Sequence, residues 1–148
     1  MTIAEPLLLD THTWIWYAHG ETKLGPKSKA EIDSAIAASR AFISAVSLRE
    51  LGMLVRKRRI ELVRNGVPIT VRAWAKSATR RLGVRVISVS GTLALASLDV
   101  VDLIDTKDPT DHIIVATAQN RAAVLVSADE SIRAFGATGA LAVMDASK

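Results

Sequence analysis

The strongest constraint on this chain is a set of short apolar runs that stop at a polar residue and then give way to helical spacing. Leu7–Leu9 stops at Asp10, and Ala41–Ser44 (AFIS) and Val124–Ser127 (VLVS) follow the same plan. Apolar runs of three or four residues without alternation fit strands covered on both faces. Parallel strands of that kind need helical crossovers between them. The helical candidates are Thr11–His19, Lys27–Ala38, a stretch from Ser47 through Leu48, Leu51, Leu54 and Val55 into Arg56–Arg59, Val71–Leu82 stopped by Gly83, Gly91–Leu98, Pro109–Arg121 and Glu130–Phe135. Val84–Val89 alternates like a further strand, and Leu141–Met144 reads as the last. The expected fold is an α/β protein, a three-layer α/β/α sandwich around a short, mainly parallel sheet of about five strands. A length of 148 residues fits one domain over residues 1–148.

Composition removes several kinds of chemistry. The chain has no cysteine, so disulfide frameworks, thiolate zinc sites and cysteine nucleophiles are excluded. No apolar run reaches the roughly 18–20 residues of a membrane span. No Lys or Arg precedes the first apolar run, which lies between Glu5 and Asp10, so a signal peptide is not expected. A cytoplasmic protein with no membrane partner is therefore expected. The net charge of +4 permits an anionic partner without demanding one. Aromatic residues are 4% of the chain, too few for a base-stacking platform.

Open α/β sheets place their sites outside the carboxyl ends of the strands. Asp10 follows the first strand, Glu50 lies one turn into the helix after the second, Asp111 lies one turn into the Pro109 helix, and Asp129 follows the VLVS strand by one residue. All four belong at one sheet edge. Each alone has an ordinary explanation. Ser47-Leu48-Arg49-Glu50 has the form of a capping box, Asp108-Pro109-Thr110-Asp111 is a standard helix start, and Asp10 and Asp129 each precede a helix. The conjunction is what shifts the reading. Four carboxylates at one edge repel, and helix N-termini offset that by only about 0.3–1 kcal/mol each. A hard divalent cation, Mg²⁺ or Mn²⁺, is the natural complement of such an oxygen set.

Four segments follow one another in order: LLLDTHTWIW (Leu7–Trp16), FISAVSLRELGMLVRKRRIEL (Phe42–Leu62), KDPTDHIIVATA (Lys107–Ala118) and VLVSADESIRAF (Val124–Phe135). Together they closely resemble the PIN-domain family and, within it, the VapC-type toxins of bacterial toxin–antitoxin pairs. The resemblance implies a metal-dependent endoribonuclease, a homodimer held in check by a cognate antitoxin, with RNA as substrate and one or two Mg²⁺ or Mn²⁺ ions as cofactor. It assigns the family's acids to Asp10, Glu50, Asp111 and Asp129, with Asp10 and Asp111 as the primary ligands. Its small hydroxyl residues beside the acids correspond to Thr11, Ser47 and Ser127.

Two positions depart from the family pattern. Arg49 stands where relatives often carry an aromatic residue, and Thr106-Lys107 stands where they often carry His-Arg. Neither change removes an acid. The basic run Arg56, Lys57, Arg58 and Arg59, with Arg49 and Arg64 nearby, has two readings: a contact for RNA or antitoxin, or a solvated helix end whose cations complement the dipole. His12 and His112 are expected in local hydrogen bonds or in solvent. Trp14, Trp16 and Tyr17 are expected in packing rather than base stacking, and Asp145 in a surface turn. A haloacid-dehalogenase-type phosphatase needs an aspartate where this chain has His12. A response-regulator receiver needs an early acid pair and a late strand-end lysine, and neither pattern is present. A dinucleotide site needs glycines where this chain has Asp10-Thr11-His12. The alternative of a different class is a catalytically silent PIN-fold module that binds RNA or protein.

Overall fold

The computed structural model describes residues 3–148. In chain order the elements are β1 (Leu7–Leu9), α1 (Thr11–His19), α2 (Pro26–Ala37), β2 (Ala41–Ser44), α3 (Ala45–Arg56), β3 (Val63–Arg64), β4 (Val67–Pro68) and α4 (Val71–Lys76). A π-helical turn (Ser77–Arg81) then leads into β5 (Arg85–Ile87), α5 (Gly91–Ala96), a 3₁₀ turn (Ser97–Val100), α6 (Pro109–Arg121), β6 (Val124–Ser127), α7 (Glu130–Ala137) and β7 (Val143–Asp145). Five strands form one sheet in the order β5-β2-β1-β6-β7, and every pairing in it is parallel. Helices cover both faces, so the expected sandwich is observed.

The apolar runs explain this order. Leu7, Leu8 and Leu9 are all fully buried, as a strand at the centre of a two-sided sheet must be. Alternation still sorts them. Leu7 and Leu9 join a core with Trp14, Ile32 and Leu51 on one face, while Leu8 joins a core with Ile114, Leu125 and Ile132 on the other. The chain builds outward from β1 through β2 to β5, then returns to lay β6 and β7 on the opposite side. The order therefore reverses between β1 and β6. A crevice opens at such a switch point, outside the strand carboxyl ends.

Several local readings are corrected. Ser47 does not start a helix. α3 begins two residues earlier, because Ser44 at the end of β2 has extended backbone and its hydroxyl accepts from the Val46 N–H. The stretch expected as one helix over Val71–Leu82 stays regular only to Lys76 and then widens into the π turn. The Trp14 indole N–H donates to the Ala78 carbonyl at 2.9 Å, and the Thr79 hydroxyl donates to the Ala75 carbonyl at 2.8 Å. Both draw carbonyls out of the regular ladder. The strand expected over Val84–Val89 is limited to Arg85–Ile87 and lies at the sheet edge, with Val86 exposed. The last strand falls two residues later than Leu141, at Val143–Asp145.

The β3–β4 hairpin has no counterpart in the sequence reading, although its signal was present. Asn65 and Gly66 both adopt positive φ, 51° and 76°, as a two-residue type I′ turn requires. Among the described residues, no helix is long and apolar enough to cross a membrane.

Candidate active site

Asp10 is the best-fixed acid of the switch-point crevice. It ends β1 and caps α1, with one carboxylate oxygen accepting from the Thr13 N–H at 2.9 Å. The other oxygen accepts from the Ser127 hydroxyl at 2.5 Å. The same Ser127 oxygen accepts from the Asp129 N–H at 3.1 Å, so one serine ties the end of β1 to the start of α7. Thr13 adds a second tie, donating its hydroxyl to the Val126 carbonyl at 3.0 Å. Burial pushes the Asp10 carboxyl above its ordinary range, and the Ser127 and Thr13 hydrogen bonds oppose that rise.

Asp111 sits in the first turn of α6. Proline at position 109 opens that helix and Asp108 caps it, accepting from the Thr110 N–H at 2.9 Å. Thr106 steadies the pair, accepting from the Asp108 N–H at 3.2 Å and donating to the Asp111 carboxylate at 3.1 Å. Asp111 is pushed up to about 6, chiefly by burial and next by the Asp108 charge. The Thr106 hydrogen bond counters this, while the Asp129 and Glu50 charges add to it. Four acids thus share one electrostatic environment.

The crevice has a volume of about 180 Å³ and is lined by Asp10, Thr11, His12, Glu50, Asp108, Asp111, Ile114 and Asp129. All four acids singled out in the sequence face it. So does Asp108, which had been read only as a cap. Asp10, Asp108 and Asp129 are indeed caps, yet each also lines the crevice. Capping and site-building are therefore compatible at these positions. Glu50, half-buried on α3, makes no side-chain hydrogen bond among the described residues.

Of the hydroxyls, Thr11 lines the crevice and donates to Ser47 at 2.9 Å, so Ser47 supports it from behind. The buried His112 ring pairs with the Thr106 carbonyl at 2.8 Å, while His12 is exposed. Arg49 and the run Arg56–Arg59 are exposed, and among the described residues no lysine or arginine lines the crevice. Trp14 is buried against Trp74, ring centres 5.3 Å apart, as packing requires. Asp145 closes a turn through Ser147.

The donor set consists of oxygens, which suits Mg²⁺ or Mn²⁺. The mutual repulsion felt at Asp111 is what a cation relieves. Among the described residues, no three acidic or histidine side chains are gathered tightly enough to hold an ion jointly. Closure around an ion therefore requires side-chain rotation, and Glu50 is the least restrained of the four.

A family model for the PIN domain matches residues 7–137, a span that includes all five crevice acids. The chain belongs to the PIN-domain family. The fold of this PIN chain is similar to that in the crystal structure of VapBC2 from Rickettsia felis bound to a promoter DNA fragment, with a TM-score of 0.63 and 17% identity, covering 93% of this chain and 96% of that one. It is also similar to a toxin–antitoxin complex from Klebsiella pneumoniae, with a TM-score of 0.57 and 17% identity over 94% of this chain and 96% of that one. A third similar fold occurs in FitAB bound to an IR36 DNA fragment, with a TM-score of 0.59 and 19% identity over 96% of both chains. No curated protein matches the sequence.

Proposed function

We propose that this PIN-domain protein is a divalent-metal-dependent endoribonuclease and the toxin of a toxin–antitoxin pair. The observation that carries the reading is the crevice, in which the desolvated Asp111 feels the charges of Asp108, Asp129 and Glu50. One of the similar solved folds is that of a toxin–antitoxin complex, and this supports a cognate antitoxin partner. On this reading residues 1–148 work as one domain, in the cytoplasm and as a homodimer. Arg49 and Arg56–Arg59 meet RNA or antitoxin outside the crevice.

Asp10, Glu50, Asp111 and Asp129 would hold one or two Mg²⁺ or Mn²⁺ ions. A bound ion of this kind supplies Lewis-acid chemistry, lowering the pKa of water and offsetting charge on phosphoryl oxygens. The chain's own residues do the rest. Ser127 and the Thr13 N–H hold the Asp10 carboxylate in one orientation. Thr106 does the same for Asp111, and its hydrogen bond favours the ionised form a ligand needs. Thr11, backed by Ser47, presents a hydroxyl to the crevice. Apolar Ile114 closes part of the wall and limits competing solvent.

The deciding experiment is RNA cleavage by purified protein with Mg²⁺, with Mn²⁺ or with chelator, run beside Asp111→Asn. Cleavage that requires the metal and disappears in the variant is the expected result. Cleavage that survives in Asp111→Asn would assign it to a contaminating ribonuclease. RNA binding indifferent to chelator, with no turnover on any RNA, would favour the silent binding module.

A further inference from the structure

The charges of this chain are segregated to a degree the net value conceals. Residues 49–85 hold 11 of the 19 Lys and Arg but only 2 of the 15 Asp and Glu. On α4 and the π turn the segregation has a face. Trp74 and Ala78 point into the core, and Arg72, Lys76 and Arg80 lie on the opposite side, exposed, at four-residue intervals. Successive cations are about 6 Å apart along the axis at the usual helical rise, and Arg81 lies beside them, also exposed. None of these four pairs with a carboxylate among the described residues. Three of the four are arginines, whose planar fork suits phosphate oxygens.

This ridge lies outside the crevice, since none of its four residues lines it. α1 starts at the crevice, where Thr11 lines it, and ends at His19. His19 lines a separate open groove of about 520 Å³ together with Arg64, Trp74 and Ser77. The Val71 side chain, next to Arg72 in sequence, packs over Gly52 of α3, two residues past Glu50. The crevice, lined by acids and by no cation among the described residues, offers a polyanion no attraction of its own beyond what a bound metal supplies.

We propose that the α4–π ridge of Arg72, Lys76, Arg80 and Arg81 is a second RNA-binding surface outside the crevice, so that the substrate is an RNA long enough to lie on the ridge and reach the crevice together. This rests on the ribonuclease reading and specifies its substrate class. Exposed cations that track a backbone supply affinity without sequence preference, and each phosphate contact adds to the salt dependence.

The test compares wild type with the combined variant Arg72→Gln, Lys76→Gln, Arg80→Gln and Arg81→Gln, with thermal melts to confirm folding. Binding of an RNA hairpin of about 30 nucleotides is titrated in chelator across a range of salt. Cleavage of the hairpin and of a trinucleotide is measured in Mn²⁺. The expected result is roughly tenfold weaker hairpin binding and a log–log salt slope shallower by about 3. The loss of kcat/KM should be concentrated on the hairpin, and the variant Arg72→Lys, Arg80→Lys, Arg81→Lys should retain the slope. An unchanged slope with wild-type cleavage of both RNAs overturns the ridge while leaving the ribonuclease standing, and transfers the ridge to an acidic protein partner. Wild type that neither binds nor cleaves either RNA removes both readings.

Discussion

The two charged regions of this molecule are built on opposite plans. At the switch-point crevice four of the five acids are pinned: Asp10 by Ser127 and Thr13, Asp108 by the Thr110 N–H, Asp111 by Thr106, Asp129 by the Ile132 N–H. Along α4 and the π turn the cations are exposed, with no carboxylate partner among the described residues. Pinned oxygens bear part of the cost of repulsion in advance and leave Glu50 as the side chain free to close on a small ion. Exposed cations that form no ion pair keep their side-chain entropy until a partner arrives, which suits a long polyanion of variable shape. The separation has a simple structural source. The acids sit at strand ends and helix starts around the crevice, whereas the cations face outward from α4 and the π turn, whose inward face is Trp74 and Ala78.

The sharpest way to break the comparison is to remove one pinned acid. Asp111→Asn should lower metal-dependent RNA cleavage by about 10³-fold, as expected for several kcal/mol of transition-state stabilisation. Single-turnover cleavage in Mn²⁺ measures it, and a loss of less than tenfold would assign the cleavage to a contaminating ribonuclease.

Next in size is the stability contrast. Asp10→Ala removes the α1 cap and strands the buried Ser127 hydroxyl, so urea unfolding should show a loss of about 2 kcal/mol. Arg72→Gln, with nothing to strand, should stay within about 0.5 kcal/mol of wild type. Equal effects at the two positions would erase the distinction between pinned and free charge.

A smaller and oppositely signed effect is expected from pH. Asp111 is pushed up from 3.8 to about 6. The native state therefore holds a proton that the unfolded chain releases sooner. That contribution is complete below about pH 4 and is lost as pH rises through about 6. Without added metal, Asp111→Asn should melt above wild type at pH 7, by about 1.5 kcal/mol after allowance for solvent screening, and the gap should close toward pH 4. Melting curves from pH 4 to 8 test the sign. A gap that widens in acid would contradict the repulsion argument.

The smallest effect concerns the hairpin at the basic end. Gly66→Ala forces a side chain onto φ +76°, at a cost of about 1 kcal/mol in thermal unfolding. No atom lies within 4 Å of the added carbon, so a larger loss would mean that the hairpin supports more than itself.

The acid edge was legible because its rules are local. A fully apolar Leu7–Leu9 requires a central strand, the residue after a parallel strand lies at the carboxyl edge, and a D-P-x-D start puts Asp111 one turn into a helix. Other features depended on choices that local rules leave open. Ser44 and Ser47 are both good caps, and only the end of β2 decides for Ser44. The Val71–Leu82 spacing is compatible with an unbroken helix, and it takes the Trp14 indole, arriving from α1, to claim the Ala78 carbonyl. The Asn65-Gly66 pair was a usable hairpin signal, and applying the turn rule to it would have found β3 and β4.

By itself, then, the sequence determined a parallel α/β sheet with Asp10, Glu50, Asp111 and Asp129 at one edge, since period, caps and strand ends act over a few residues. Only the tertiary structure decided that Asp108 joins those acids, that Ser127 binds Asp10 across 117 positions, and that Arg72, Lys76 and Arg80 form one ridge outside the crevice. The physical reason is range. Backbone geometry is settled between near neighbours, whereas burial, charge repulsion and side-chain hydrogen bonding depend on what the fold brings within a few ångströms.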